Sequence, residues 1–157
     1  MVAQPVLRVV GYWHPNPDWD DLGAASDLPE PRWLVRRSWR LRERGKILAY
    51  LRSGHKYVGY AGYSYCRFRL CWARPPVMGS WDLTDGEWVR PQGLAHYVER
   101  HRVCLPDEFV ETMRVNCWRV PREVALLPPG EAGLNYDWSF WVAWARREQR
   151  RPWYVLW

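Results

Sequence analysis

Two cysteines and two histidines form the pattern in this chain that most resembles a metal-binding or catalytic site. Four residues separate Cys66 from Cys71, and four separate His96 from His101. Both spacings fall within those of structural zinc sites, whose ligands are thiolate sulfur and imidazole nitrogen. Histidines five positions apart on a helix, however, point about 140° apart around its axis, and Cys66 falls among the inward residues of a predicted strand. The sequence therefore predicts no stoichiometric metal and no cofactor.

Nucleophilic catalysis is the other chemistry that these residues suggest. Cys66 and His96, with an aspartate such as Asp82, have the residue types of a thiol triad. The sequence has neither a nucleophile elbow nor a glycine-rich phosphate loop. Asp82, Thr84 and Gly86 do not complete a calcium loop, which needs further oxygen ligands and a distal glutamate. We therefore expect a protein that is not an enzyme.

Length and composition favour one basic globular domain spanning residues 1–157. Apolar residues make up 48 % of the chain, and the net charge is +6, which permits an acidic or polyanionic partner. The sequence shows no secretory signal and no apolar run of the roughly 18 residues that a membrane span needs. Four cysteines in such a chain favour reduced thiols and a cytoplasmic location.

The aromatic content points to a binding role, because 13 tryptophans and 9 tyrosines accompany only 3 phenylalanines. Residues 57–70 alternate with a period of two and predict strands, with a bulge or bend at Gly59 and Gly62. Val58, Tyr60, Ser64, Cys66, Phe68 and Leu70 form the face predicted to be inward. The opposite face supplies the first candidate contact residues, and the next hairpin supplies two more: Tyr63, Tyr65, Arg67 and Arg69, then Trp81 and Trp88. We expect the partner to be another protein, acidic at the contact; the alternative is single-stranded nucleic acid stacked on the rings and paired with the arginines.

Local signals predict an α+β fold, with a small, mostly antiparallel sheet and three or four helices. Strands are expected at 6–12, on both sides of a two-residue turn at Asp85-Gly86, and at 153–157. Helices are expected from near Arg44 to a glycine cap at Gly54, at 91–101, at 106–114 and after an N-cap at Asp137. The seven basic residues of 32–46 fit either a polyanion-binding patch or the solvated face of a helix. The pair of helices at 91–114 is not a DNA reader, since the second displays Asp107, Glu108 and Glu111 to phosphates.

The run GSWDLTDGEWVRPQGLAHYVERH at 79–101, followed by LPDEF at 105–109, resembles a motif of small bacterial proteins without an established activity. The resemblance covers about residues 47–113 and the final tryptophan-rich helix. Some members of that group sit beside toxin genes, so the resemblance implies an immunity-like inhibitor that plugs a partner's active site. It implies no particular site residues. Arg90 departs from the motif, which often has tryptophan there.

Overall fold

The chain folds around a five-stranded mixed sheet, which the computed structural model describes together with its helices for residues 5–15, 27–126 and 135–150. The strands are β1 (Leu7–Val9), β2 (His55–Gly59), β3 (Trp81–Thr84), β4 (Trp88–Pro91) and β5 (Tyr136–Asp137), in the order β2-β3-β4-β1-β5. Strands β2, β3 and β4 pair antiparallel, whereas β1 runs parallel to both β4 and β5. The α+β class is confirmed. The sheet is mixed, not mostly antiparallel, because the N-terminal strand inserts between β4 and β5.

Five α-helices and a 3₁₀ helix at Pro31–Leu34 cover the sheet in the described part of the chain. The α-helices are α1 (Arg44–Arg52), α2 (Pro75–Met78), α3 (Leu94–His101), α4 (Asp107–Val115) and α5 (Ser139–Gln149). Helix α1 begins at Arg44 as predicted, and α4 carries two acids in its first turn, where the helix dipole favours them. The N-cap of α5 is Trp138, one residue later than predicted, and Asp137 just before it accepts a hydrogen bond from the backbone N–H of Ser139 at 2.9 Å. None of these helices is long and apolar enough to cross a membrane.

The hairpin between β3 and β4 is confirmed, with Gly86 at a positive φ of 97°. Asp85 and Trp88 close the turn through a backbone hydrogen bond of 3.3 Å, so its central residues are Gly86 and Glu87, one position later than predicted. The Asp85 carboxylate causes this shift, because it accepts hydrogen bonds from the N–H groups of Glu87 at 3.0 Å and Trp88 at 2.7 Å. Pro91 ends β4 instead of starting a helix, and α3 begins only at Leu94.

Large buried side chains from every layer form one core around the sheet. Trp88 on β4 packs against Phe109 of α4 and Phe140 of α5, and Trp141 of α5 donates to the carbonyl of Tyr12 at 2.7 Å. The contacts of Trp88 join α4 and α5 to β4, and that of Trp141 joins α5 to the residues that follow β1. The predicted closing strand at 153–157 lies outside the described residues.

The basic run at 32–46 is not one continuous helix. Four of its seven basic residues are exposed: Arg32, Arg37, Arg42 and Lys46. Arg44 is buried and donates to the carbonyls of Arg37 and Trp39, while Arg36 donates to the carbonyl of Glu148 at 3.0 Å. Arg40 forms an ion pair with Asp107 at 2.8 Å. These side chains tie the run to the body of the protein, so much of its charge serves the fold.

Candidate functional site

The segment of residues 60–74 joins β2 to α2 without forming a helix or strand, and every residue of it is described. The predicted strand over 57–70 therefore ends at Gly59, which lies opposite Trp81. A Cβ on Gly59 would lie 3.0 Å from the Trp81 ring, so a larger residue would push this ring away from the strand end. Beyond this point the chain leaves the ladder, with one backbone bond from Tyr60 to Ser80 (2.8 Å) and one from Ser64 to Gly79 (3.0 Å).

Large apolar side chains of this segment stand in solvent. Leu70 is 88 % exposed and Trp72 is 91 % exposed, the highest values among the large hydrophobic residues described. Tyr60, Tyr63 and Tyr65 are each exposed over about half of their surface. Single exposed apolar residues are ordinary, but five within thirteen positions make this segment a candidate contact surface.

The first candidate contact residues lie in this segment. Tyr63, Tyr65 and Arg69 are exposed, and Arg67 is half-buried, with its backbone N–H donating to the Tyr97 hydroxyl at 2.9 Å. The alternation held for Cys66 and Phe68, which are partly buried. It was wrong for Tyr60, Ser64 and Leu70, which were predicted to face inward and are exposed, because the segment is not a strand with two faces.

The second candidates are the hairpin tryptophans, and the prediction that Trp88 is a contact residue is wrong. Trp88 is fully buried and its indole N–H donates to Thr112 at 2.9 Å, so it cannot meet a partner from within the folded chain. It is buried because β4 lies at the centre of the sheet, between β3 and β1. Trp81 is half-buried, with the Lys56 ammonium 5.2 Å from its ring centroid, and it lies beside the start of the segment.

Residues 60–74 carry only positive side-chain charges, and Glu30 lines a pocket beside Arg67 and Arg69. Arg67, Arg69 and Arg74 lie within residues 60–74, which include no Asp or Glu. Arg100 of α3 lines the same open cleft as Leu70 and Trp72, whose volume is about 770 Å³. The exposed rings are thus interspersed with guanidinium groups.

Beneath these side chains, the segment meets α3 through the two cysteines and two histidines. The Sγ atom of Cys66 lies 3.2 Å from Nε2 of His101, and that of Cys71 lies 3.3 Å from Nε2 of His96. All four ligand atoms lie within 4.8 Å of one another. The structure therefore brings together the four residues whose convergence the helix geometry argued against.

His101 occupies the last position of α3, five residues after His96. Arg102 follows in the left-handed conformation (φ 58°) and ends the helix. The His101 ring stacks on Phe68 of the segment, with centroids 3.9 Å apart and an angle of 4° between planes. Its ring lies 5.1 Å from that of His96. The separation of about 140° applies to the positions at which the two side chains leave the helix. Their Nε2 atoms lie several bonds farther out, and there both contact cysteine sulfurs of the 60–74 segment.

Burial favours the neutral forms of Cys66 and His101. Desolvation raises the pKa of the Cys66 thiol to about 11. Desolvation, with the neighbouring His96 and Arg100, lowers the pKa of His101 to about 4. A thiolate nucleophile paired with an imidazolium needs shifts in the opposite directions.

The aspartate of the hypothetical triad is engaged elsewhere. Asp82 is buried, and its Oδ2 accepts hydrogen bonds from the hydroxyls of Tyr60 at 2.8 Å and Tyr136 at 3.0 Å. Its partners among the described residues are tyrosines, so it does not orient a histidine of the cluster.

Comparison of the chain with protein-family models, curated proteins and solved structures gave no match.

Proposed function

We propose that this protein is a cytoplasmic, non-catalytic module that binds another protein through the 60–74 segment. The observation that carries the proposal is the exposure of Leu70 and Trp72 on the same open cleft. Two large apolar side chains held almost wholly in water are costly to keep there unless a partner covers them. Tryptophan, tyrosine and arginine are also the residues that most often anchor interfaces.

Charge narrows the class of partner to a protein that is acidic at its contact surface. The arginines of the segment and Arg100 would face that surface, while the segment itself offers no carboxylate to repel it. Such complementarity accelerates association and selects among partners more than it adds affinity. The resemblance of residues 79–109 to proteins encoded beside toxin genes supports a finer proposal, that the partner is an enzyme which this chain inhibits.

Single-stranded nucleic acid is the second candidate, supported by tyrosines and arginines in one irregular segment. Bases stack on exposed rings, and arginines contact phosphates. The aliphatic Leu70 offers nothing to a base or phosphate, and it is among the most exposed residues of the surface. This observation favours a protein partner.

Differential capture from the cell extract in which the chain is expressed tests the proposal. The tagged wild type is compared with a Leu70→Ser/Trp72→Ser variant and with Leu41→Ser, a control whose leucine is 58 % exposed outside the segment. Extracts are treated with nuclease, and retained proteins are quantified by mass spectrometry. We expect a protein that wild type and Leu41→Ser retain and the double variant loses, and that binds again when purified.

Two outcomes would contradict the proposal. Equal capture of every protein by the double variant, with its fold intact, would show that the segment is not the contact surface. Capture that disappears with nuclease, together with tight binding of purified single-stranded DNA or RNA that weakens steeply with salt, would instead establish the nucleic-acid candidate.

A further inference from the structure

The cluster of Cys66, Cys71, His96 and His101 has the dimensions of a tetrahedral zinc site. Zinc binds thiolate sulfur at about 2.3 Å and imidazole nitrogen at about 2.0–2.1 Å, which places neighbouring ligand atoms about 3.3–3.8 Å apart. The two thiol–imidazole distances here are 3.2 and 3.3 Å, and no two of the four ligand atoms are more than 4.8 Å apart. A contraction of well under 2 Å at the longest edge would complete the tetrahedron.

The donor set selects the metal. Two thiolates and two imidazoles in a tetrahedral arrangement suit zinc, whereas magnesium and calcium require oxygen ligands. Both histidines already present Nε2 towards the sulfurs. We propose that these four residues bind one Zn²⁺ ion in a closed, structural site.

Binding is balanced in charge and protons without any oxidant. Zn²⁺ displaces one proton from each thiol, both protons pass to solvent, and four Zn–ligand bonds replace two thiol–imidazole hydrogen bonds. The two thiolate charges cancel the charge of the ion, so the half-buried site stays neutral. Four protein ligands leave no open coordination position, which distinguishes a structural site from a catalytic one.

The site's position explains what the ion would do. Cys66 and Cys71 belong to the irregular 60–74 segment, and His96 and His101 belong to α3. The segment has few backbone hydrogen bonds to the rest of the fold, and its largest side chains point into solvent. The ion would fasten the middle of this segment to a helix of the core and offset the entropy of ordering it.

Metal content of the full-length chain, purified without chelator and without added metal, provides the first test. We expect one zinc per chain by native mass spectrometry and elemental analysis. Cys71→Ser and His96→Gln should each lose it, whereas Cys117→Ser, a free and exposed thiol outside the cluster, should retain it. Purified wild type without metal, or with Cys66 and Cys71 joined in a disulfide, would overturn the proposal.

Cobalt substitution keeps the test independent of whether a variant folds. The reduced, metal-free wild type is titrated with Co²⁺ and followed by visible absorption. We expect saturation at one equivalent, the intense d–d bands of tetrahedral cobalt, thiolate charge-transfer absorption, and displacement by one equivalent of Zn²⁺. Weak octahedral absorption, or no saturable change, would contradict the site. The inference does not depend on the proposed function, because capture through Leu70 and Trp72 is measured separately.

Discussion

Arg90 provides a sharp test of how the core is organised, because a fully buried guanidinium caps a helix. Its Nη2 donates to the carbonyl oxygens of Tyr50 at 3.0 Å and Ser53 at 2.5 Å, at the C-terminal end of α1. Carbonyls at the end of a helix have no partner within the helix. The Tyr50 carbonyl also accepts from the N–H and hydroxyl of Ser53, so the Ser53 carbonyl depends most on Arg90.

Replacing Arg90 with methionine keeps most of the volume but removes these donors. Two hydrogen bonds from a charged donor contribute about 3–6 kcal/mol together. Part of this is offset, since the variant no longer buries a charge whose Nη1 has no hydrogen-bond partner. We expect a net loss of about 2–4 kcal/mol in the free energy of unfolding, or a fall in Tm of roughly 5–15 °C.

Urea unfolding followed by tryptophan fluorescence and far-ultraviolet circular dichroism measures this loss. Arg69→Met is the matched control, because Arg69 is exposed and its replacement should change stability by less than about 0.5 kcal/mol. A loss below about 1 kcal/mol for Arg90→Met, or a gain, would refute the reasoning. It would mean that the cost of burying the guanidinium cancels what its hydrogen bonds contribute.

Three further predictions concern the β3–β4 turn, the buried Asp82 and the proposed zinc site. Gly86→Val should destabilise the chain by about 1 kcal/mol or more in urea unfolding, because φ is 97° and a Cβ there would lie 2.9 Å from a methyl group of Val124; unchanged stability would contradict this turn geometry. Burial raises the pKa of Asp82, so the folded protein binds a proton at this side chain more tightly than the unfolded chain does. The resulting stabilisation is fully present below the pKa of the unfolded state and is lost as the pH rises through the pKa of the folded state. The difference in unfolding free energy between wild type and Asp82→Asn should change with pH in that direction, and a flat difference would be inconsistent with the burial. Removing the proposed Zn²⁺ ion should accelerate hydrogen exchange in residues 60–74 while the β3–β4 hairpin stays protected, whereas equal protection with and without metal would contradict the proposal that the ion holds the segment.

Elements with strong local signals could be predicted from the sequence. The aspartate–glycine pair predicts the hairpin, and the acids after Pro106 predict the start of α4 to within one residue. The oxygen of Asp137 marked the start of α5. In each case the decisive interaction lies within a few residues, so the chain itself contains the information.

The sheet order could not be predicted in this way, because it depends on long-range pairing. Nothing near β1 indicates that it will lie parallel to β4, about eighty residues away, and also to β5. The end of β2 depends likewise on the Trp81 ring that covers Gly59. Strand pairing and ring packing of this kind are decided by tertiary contacts and not by local propensity.

The candidate site could be predicted only in part, because it too depends on contacts between residues that are distant in sequence. The residue types of the Cys/His cluster were evident, but their convergence required knowing that the segment folds back over α3. Tyr63, Tyr65 and Arg69 were placed on the surface by alternation. The sequence analysis did not identify Leu70 and Trp72 as contact residues. A signal was present, because these two residues lie just before Arg74-Pro75-Pro76, a sequence typical of an irregular, exposed connection.

The decisive measurement for the proposed binding surface is the affinity of the captured partner for purified wild type and for Leu70→Ser/Trp72→Ser. A tryptophan side chain buries about 150–250 Å² when covered, and truncating a true interface anchor costs about 2–4 kcal/mol. Calorimetry should therefore show Kd rising by roughly 30-fold to 1000-fold, with Tm unchanged and with Leu41→Ser binding as wild type does. A Kd for the folded double variant within about threefold of wild type would contradict the claim that the 60–74 segment is the binding surface.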